Sequence, residues 1–74
     1  MDHVYLKRID PALNMNRFYH LFITPGLLED VIVVTEWGRR GSPGTMRKKN
    51  FNNQEEAEQY VKRVEKTKRK KGYF

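Results

Sequence analysis

In the last third of the chain the apolar positions have the spacing of a helix, whereas the first two thirds have the residue content of strands. Three segments there are rich in the β-branched and aromatic residues that are typical of strands, and a fourth, more basic segment can return as a further strand. Residues that favour turns separate them, notably Asp10-Pro11, Asn14 to Asn16, Pro25-Gly26 and the segment 38–44. The pattern predicts four strands, over residues 4–9, 17–24, 31–37 and 45–51.

The second of these strands is predicted to lie in the middle of a sheet. Successive side chains of a strand point to opposite faces, and in this strand both faces are largely apolar. One face carries Phe18, His20 and Phe22, and the other carries Tyr19, Leu21 and Ile23. Because neither face is clearly the polar one, this strand is expected to be central in the sheet.

A single amphipathic helix is predicted over about residues 53–70. Asn52 or Asn53 can cap it, because each is followed three residues later by a glutamate. Gly72 then ends it. One apolar stripe has helical spacing and is expected to be buried; it comprises Ala57, Tyr60, Val61 and Val64.

The expected fold class is α+β: a small antiparallel sheet of three to five strands, with the C-terminal amphipathic helix packed on one face. The helix stripe then lies against one of the two faces of the central strand, either Phe18 and Phe22 or Tyr19, Leu21 and Ile23. At 74 residues, the chain 1–74 is expected to form one domain with a thin core.

Positive charge is concentrated in two blocks. Fifteen Lys and Arg against nine Asp and Glu give a net charge of +6. Residues 37–49 hold five basic groups and no acidic one, and residues 62–71 hold seven basic groups against Glu65. Such blocks are typical of proteins that bind a polyanion or an anionic membrane, although ordinary solubilising charge can produce them too.

Several classes of protein are disfavoured by composition. Without cysteine, the chain can form neither disulfides nor thiolate zinc sites. The longest apolar run, Val31 to Val34, is too short to span a membrane, and the only predicted helix uses its apolar stripe for the core. The first residues do not resemble a secretory signal, so a cytoplasmic location is expected.

Catalysis is also disfavoured. His3 and His20 are the only histidines, and neither has an acidic residue at the spacing of a metal site. The glycine-rich loop 38–44 lacks the Lys-Ser/Thr pair of a phosphate-binding loop and leads into a strand instead of a helix. We therefore expect no enzymatic activity, no cofactor and no bound metal.

The segment from Trp37 to Gly44 combines the residue types that bind nucleic acid. Tryptophan offers a flat surface on which a base or sugar can stack, and Arg39 and Arg40 offer forked donors to phosphate. Glycine removes side-chain bulk, so that a phosphate backbone could approach closely. The alternative is that Trp37 belongs to the core and that the arginines are solvated loop charges.

This segment, with three others in the same order, resembles the WGR domain family. That family occurs in the DNA-dependent poly(ADP-ribose) polymerases and in small bacterial proteins. Trp37-Gly38-Arg39, with Gly41 and Gly44 after it, is similar to the family signature. The other similar segments are Asn16-Arg17-Phe18-Tyr19, then Phe51 with Ala57 and Tyr60-Val61, and finally Lys70-Lys71-Gly72-Tyr73.

The resemblance implies a function at DNA breaks. In the polymerases the tryptophan packs against the terminal nucleotide and nearby basic groups hold the backbone; the matching positions here are Trp37 and Arg39. Arg40 departs from the family, where an aliphatic residue is usual. If that position normally packs inward, the path of the loop changes; if it points outward, Arg40 adds phosphate affinity. No relay to a catalytic domain is expected within this chain.

We therefore predict a nucleic-acid-binding module, with DNA favoured over RNA and DNA ends as one form of target. The alternative is a protein–protein interaction module that uses the exposed Trp/Arg loop to bind a protein partner. No membrane partner is expected. The candidate nucleic-acid-binding residues are Trp37, Gly38, Arg39, Arg40, Arg47, Lys48, Lys70 and Lys71.

Overall fold

A computed structural model describes residues 3–74 and contains four strands, a short 3-10 helix and one α-helix. The strands lie side by side in chain order and every neighbouring pair is antiparallel. The helix crosses one face of this sheet, so the predicted α+β class is confirmed. The elements are β1 His3–Asp10, the 3-10 helix Pro11–Leu13, β2 Met15–Pro25, β3 Val31–Arg39, β4 Thr45–Phe51 and α1 Gln54–Lys70.

The turn between β1 and β2 is tighter than the sequence pattern predicts. Asp10 accepts a hydrogen bond from the Ala12 amide at 3.1 Å, and Asn14 is left-handed with φ of 50°. Asparagine tolerates this conformation better than most residues. The chain reverses within these few residues, so Met15 already pairs with Asp10. The predicted loop over residues 14–16 is therefore wrong for Met15 and Asn16, which belong to β2.

Helix α1 begins and ends as its sequence predicts. The Asn53 side chain accepts a hydrogen bond from the Glu56 amide at 2.9 Å, which makes Asn53 the N-cap. Acidic residues occupy the first turn and basic residues the last, in agreement with the helix dipole. Gly72 follows the helix with φ of 100°, a value that favours glycine.

The core lies between α1 and the face of the sheet that carries Tyr19, Leu21 and Ile23. Leu21 is completely buried, and Ala57 and Val61 of the helix are buried against the same cluster. The helix therefore covers the second of the two faces considered in the sequence analysis. Other members of the cluster are Val4, Leu6 and Val33, and half-buried neighbours include Tyr60, Val64 and Tyr73.

The opposite face of β2 has no such cover within the described part of the chain. Phe18, His20 and Phe22 are only half-buried there. The His20 ring contacts Phe22 and Tyr5 of β1, and Phe18 stacks on Tyr5. The predicted central position of β2 is confirmed, because β2 lies between β1 and β3, although this face of it stays uncovered. An antiparallel sheet tolerates this arrangement, since it can leave one face in contact with water.

The C-terminal residues pair with the outer edge of β1. The amide of Phe74 donates to the Lys7 carbonyl and the Lys7 amide donates to the Phe74 carbonyl, both at 2.8 Å. Tyr73 packs against the core while the Phe74 side chain stays exposed. Among residues 3–74, no helix combines the length and apolar character needed to cross a membrane.

Candidate nucleic-acid interface

A groove lies on the helix side of the sheet, between α1 and the strands β2, β3 and β4. Its volume is about 700 Å³. Four basic and four aromatic side chains contribute to its lining, and no acidic side chain of residues 3–74 does. The lining residues are Leu13, Asn14, Met15, Arg17, Tyr19, Thr35, Trp37, Gly38, Arg39, Arg47, Tyr60, Lys68 and Tyr73.

Strand register brings the groove residues together. Tyr19 of β2 pairs with Trp37 of β3, and the next pair on the same face is Arg17 with Arg39. Arg47 of β4 joins this face because it pairs with Thr35, two residues before Trp37. Residues two apart in a strand share a face, so three strands place basic and aromatic groups side by side.

The helix adds Lys68 to the same groove. Lys68 lies four residues after Val64, and therefore on the stripe that faces the sheet. Its ammonium nitrogen lies 4.4 Å from the centre of the Tyr19 ring and 5.6 Å from that of Tyr73. Burial lowers the pKa of Lys68, and the neighbouring positive charge of Lys71 lowers it further. A lysine that has lost part of its hydration is well placed to gain from an anionic ligand.

Trp37 forms one wall of the groove and is half-buried. Its indole stacks on Tyr19 with ring centres 6.1 Å apart and planes 23° apart. The Arg47 guanidinium lies over the indole at 5.6 Å from the ring centre. Trp37 thus belongs neither to the closed core nor to a free loop, and part of its surface is available to a ligand.

Arg39 has a structural contact as well as a place in the groove. Its guanidinium donates to the Asn14 carbonyl at 3.1 Å and to the Asn14 Oδ1 at 3.3 Å. These bonds hold the β1–β2 turn against the end of β3. A guanidinium has five N–H donors, so three remain for a ligand.

The glycines of the signature serve chain packing more than ligand access. A side chain at Gly44 would lie 2.6 Å from the Trp37 carbonyl oxygen and 2.8 Å from the Phe18 ring. One at Gly38 would lie 2.8 Å from the Gly44 backbone. Gly38 and Gly44 therefore let β3 and the start of β4 approach each other behind Trp37. Only at Gly41 is the surrounding space open within 4 Å.

Four of the eight predicted site residues line the groove: Trp37, Gly38, Arg39 and Arg47. Lys48 does not, because it pairs with Val34 and its side chain belongs to the opposite face of the sheet. The side chain of Arg40 is exposed in the β3–β4 loop, and its amide donates to the Asn16 carbonyl at 2.8 Å. Lys70 and Lys71 are exposed at the end of α1, beyond Lys68.

The Arg40 side chain is therefore directed to solvent in this chain and is not part of the core. A hydrogen bond from the Ser42 amide to the Arg39 carbonyl at 3.0 Å closes the β3–β4 loop.

Several groove residues were absent from the sequence-based set: Arg17, Tyr19, Tyr60, Lys68 and Tyr73. The spacing of residues along the strands and the helix already indicated that these residues could lie together. Strand alternation places Arg17 and Tyr19 on one face, and steps of four residues along the helix place Tyr60 and Lys68 on one stripe. The periodicities do not show which face of β2 the helix covers. That face determines which basic side chains lie together in the groove.

The two histidines lie together on the uncovered face of the sheet. The rings of His3 and His20 are 4.5 Å apart between centres, and the His20 Nδ1 lies 3.9 Å from the Glu36 carboxylate. Burial lowers the pKa of His20, the nearby His3 lowers it further, and Glu36 partly opposes both effects. In the described chain, no group of three or more His, Cys, Asp or Glu residues is arranged to hold a metal ion.

Comparisons with known proteins identify the family. The family model described as the WGR domain matches residues 2–74. An uncharacterized protein of Sinorhizobium fredii, y4dW, is 37% identical over 70 residues, which is 95% of this chain and 34% of that protein. The chain thus spans about a third of this relative. No solved structure gives a significant match. The family match covers nearly the whole chain, and we conclude that the chain belongs to the WGR domain family.

Proposed function

We propose that this chain binds DNA in the groove between α1 and the sheet and catalyses no reaction. The observation that carries this proposal is the composition of the groove, where Arg17, Arg39, Arg47 and Lys68 lie among aromatic rings and none of the lining residues in the described part of the chain is acidic. Cations bind phosphate and aromatic rings stack on bases or sugars, and their combination in one concave site is typical of nucleic-acid recognition. The family membership supports the same function.

The size of the groove favours one end of a nucleic acid over a continuous duplex. Its volume of about 700 Å³ is that of a site for a small molecule, which is enough for a terminal nucleotide. A duplex is about 20 Å across and cannot enter such a site sideways, although it can rest on the rim. In this proposal Trp37 contacts the terminal base or sugar, and the arginines hold the adjoining phosphates.

Basic side chains outside the groove extend the contact to flanking phosphates. Lys49 lies on the groove side of β4, with its ammonium 4.8 Å from the centre of the Tyr60 ring. Lys70 and Lys71 continue from Lys68 at the end of α1. These groups add affinity that does not depend on sequence, and salt weakens it.

The test is a titration of fluorescently labelled oligonucleotides at two or more salt concentrations. Blunt, 5′-phosphorylated, nicked, single-stranded and closed circular forms are compared by anisotropy. If the four groove cations each neutralise one phosphate, the log–log slope of affinity against salt is about −3.6 for duplex DNA. A rise from 50 to 200 mM salt then weakens binding by about two orders of magnitude.

The same titration separates this proposal from the protein-interaction alternative. A docking surface for protein that uses the Trp/Arg loop predicts no measurable binding of any oligonucleotide at 50 mM salt. Binding with a shallow salt dependence would remove phosphate contacts from the mechanism. Equal affinity for blunt ends and for circular duplex would leave DNA binding in place and exclude a preference for ends.

A further inference from the structure

The face of the sheet opposite α1, here called the open face, exposes apolar and aromatic side chains. Tyr5 and Met46 are 47% and 56% exposed, and Phe18 and Phe22 are half-buried between them. By strand register the open face consists of His3, Tyr5, Lys7 and Ile9 of β1, Asn16, Phe18, His20, Phe22 and Thr24 of β2, Ile32, Val34, Glu36 and Gly38 of β3, and Met46, Lys48 and Asn50 of β4.

The open face is also where the positive charge of this chain is lowest. Of the strand residues that the structure describes, only Lys7 and Lys48 bring a permanent positive charge to it, and Glu36 lies between them on β3. The groove on the other side collects four cations, and the last turns of α1 carry most of the others. Two copies of a chain with charge +6 repel each other, and they repel least when these faces meet.

We infer that two copies of this chain associate through their open faces, sheet against sheet. Such a contact is isologous, so it closes at a dimer and does not propagate. It supplies the second apolar layer that β2 lacks, and each Glu36 can approach a lysine of the other copy. The grooves then lie on the two outer sides of the dimer, where both stay accessible. This inference does not depend on what the groove binds.

The size of the open face sets the strength of the association. Four strands about 4.8 Å apart, each contributing about seven residues of about 3.3 Å, cover about 450 Å². Two copies then bury about 900 Å² or slightly more, which lies in the range of weak, transient interfaces. We therefore expect a weak monomer–dimer equilibrium, with a mostly monomeric chain at low micromolar concentration.

A nucleic acid is a less suitable occupant of the open face than a second copy. Glu36 would oppose phosphates at its middle, and the ammonium of Lys7 lies over the Phe74 ring, 5.6 Å from its centre. A homodimer instead uses both signs of charge. The remaining candidate occupant is a different protein. Measurements on the purified chain alone distinguish it from self-association, because no other protein is then present.

The experiment is sedimentation velocity from 10 µM to 1 mM, combined with ¹⁵N–¹H spectra along the same dilution series. We expect the weight-average mass to rise from that of one chain towards two, with concentration-dependent shifts confined to open-face residues. The Met46→Lys and Tyr5→Thr variants change exposed positions of this face, and each should weaken association at least tenfold. Circular dichroism and thermal melting confirm that these variants are folded.

The matched control changes apolar residues outside the open face. Leu27 and Leu28, in the β2–β3 turn, are 98% and 88% exposed, and the double variant Leu27→Ser, Leu28→Ser should associate like the wild type. A chain that stays monomeric at 1 mM overturns the inference. So does a dimer that persists in both open-face variants, or one that disappears only when the two leucines are changed.

Discussion

Arg47 and Lys48 are consecutive in β4 and carry the same charge, but their side chains lie on opposite faces of the sheet. Arg47 pairs with Thr35 on the groove side and covers the Trp37 ring, whereas Lys48 pairs with Val34 on the open face. The two variants Arg47→Gln and Lys48→Gln remove the same net charge from neighbouring positions. Comparing them tests where DNA binds while the overall charge of the chain is held equal.

The expected losses follow from the distance to the ligand. A hydrogen bond from a guanidinium to phosphate contributes about 1.5–3 kcal/mol, and Arg47 is exposed enough for the lower end to apply. We therefore expect Arg47→Gln to weaken binding by about tenfold and to reduce the salt slope by about 0.9. Lys48 lies a sheet thickness away, at about one Debye length in 0.1 M salt, so Lys48→Gln should change affinity less than twofold.

The assay is anisotropy of a labelled blunt duplex at several salt concentrations, with thermal melting as a check that both variants fold. The emission of Trp37, the only tryptophan, gives a second measurement on the unlabelled protein. DNA should change it in the wild type and in Lys48→Gln at similar concentrations. Equal losses for the two variants would mean that net charge alone drives binding. A larger loss for Lys48→Gln would move the DNA site to the open face.

Three further predictions concern the signature and the open face. In chemical denaturation, Gly44→Ala should lower the free energy of unfolding by more than about 2 kcal/mol, because φ is 76° and the new methyl group would meet the Trp37 carbonyl. Gly41→Ala has φ of 90° but open space around it, so it should lose only the cost of placing a non-glycine residue at positive φ, about 1–2 kcal/mol. Trp37→Ala should weaken DNA binding five- to a hundredfold by anisotropy with the circular dichroism spectrum retained, and a variant that unfolds would show that the indole is structural. Folding lowers the pKa of His20 below its ordinary value of 6.5, so as the pH decreases the unfolded chain binds a proton at His20 before the folded chain does. Thermal stability should therefore fall as pH decreases through 6.5, and His20→Gln should reduce this dependence.

The fold was predictable because each element has a strong local signal. The β-branched and aromatic segments between turn residues indicated the strands, and the cap at Asn53 with the stripe through Val61 indicated the helix. Boundaries were least predictable at the β1–β2 turn, where the side-chain bond of Asp10 shortens the reversal. Such a bond depends on local geometry that residue preferences do not specify.

The candidate site was predictable only in part. The strand alternation in the sequence already separates Arg47 from Lys48, but it does not say which of them faces the helix. Which of the two faces the helix depends on tertiary packing, because the helix stripe packs on the face of Leu21 instead of on the face of Phe22. Once the choice is made, the register assigns every strand residue to the groove or to the open face. The basic block over residues 37–49 is therefore divided between the two sides of one sheet.

The three residues of the family signature have different roles in this chain, and only some of these roles concern a ligand. Gly38 allows the start of β4 to approach β3, and Arg39 fastens the β1–β2 turn through Asn14. Trp37 lies between Tyr19 and Arg47, where the surface it leaves free is aromatic and bordered by cations. A loss of DNA binding in an Arg39 variant would therefore combine a missing phosphate contact with a displaced turn. Arg47 makes no hydrogen bond of this kind to the turn, which is why its variant, compared with that of Lys48, gives the cleaner measure of the groove.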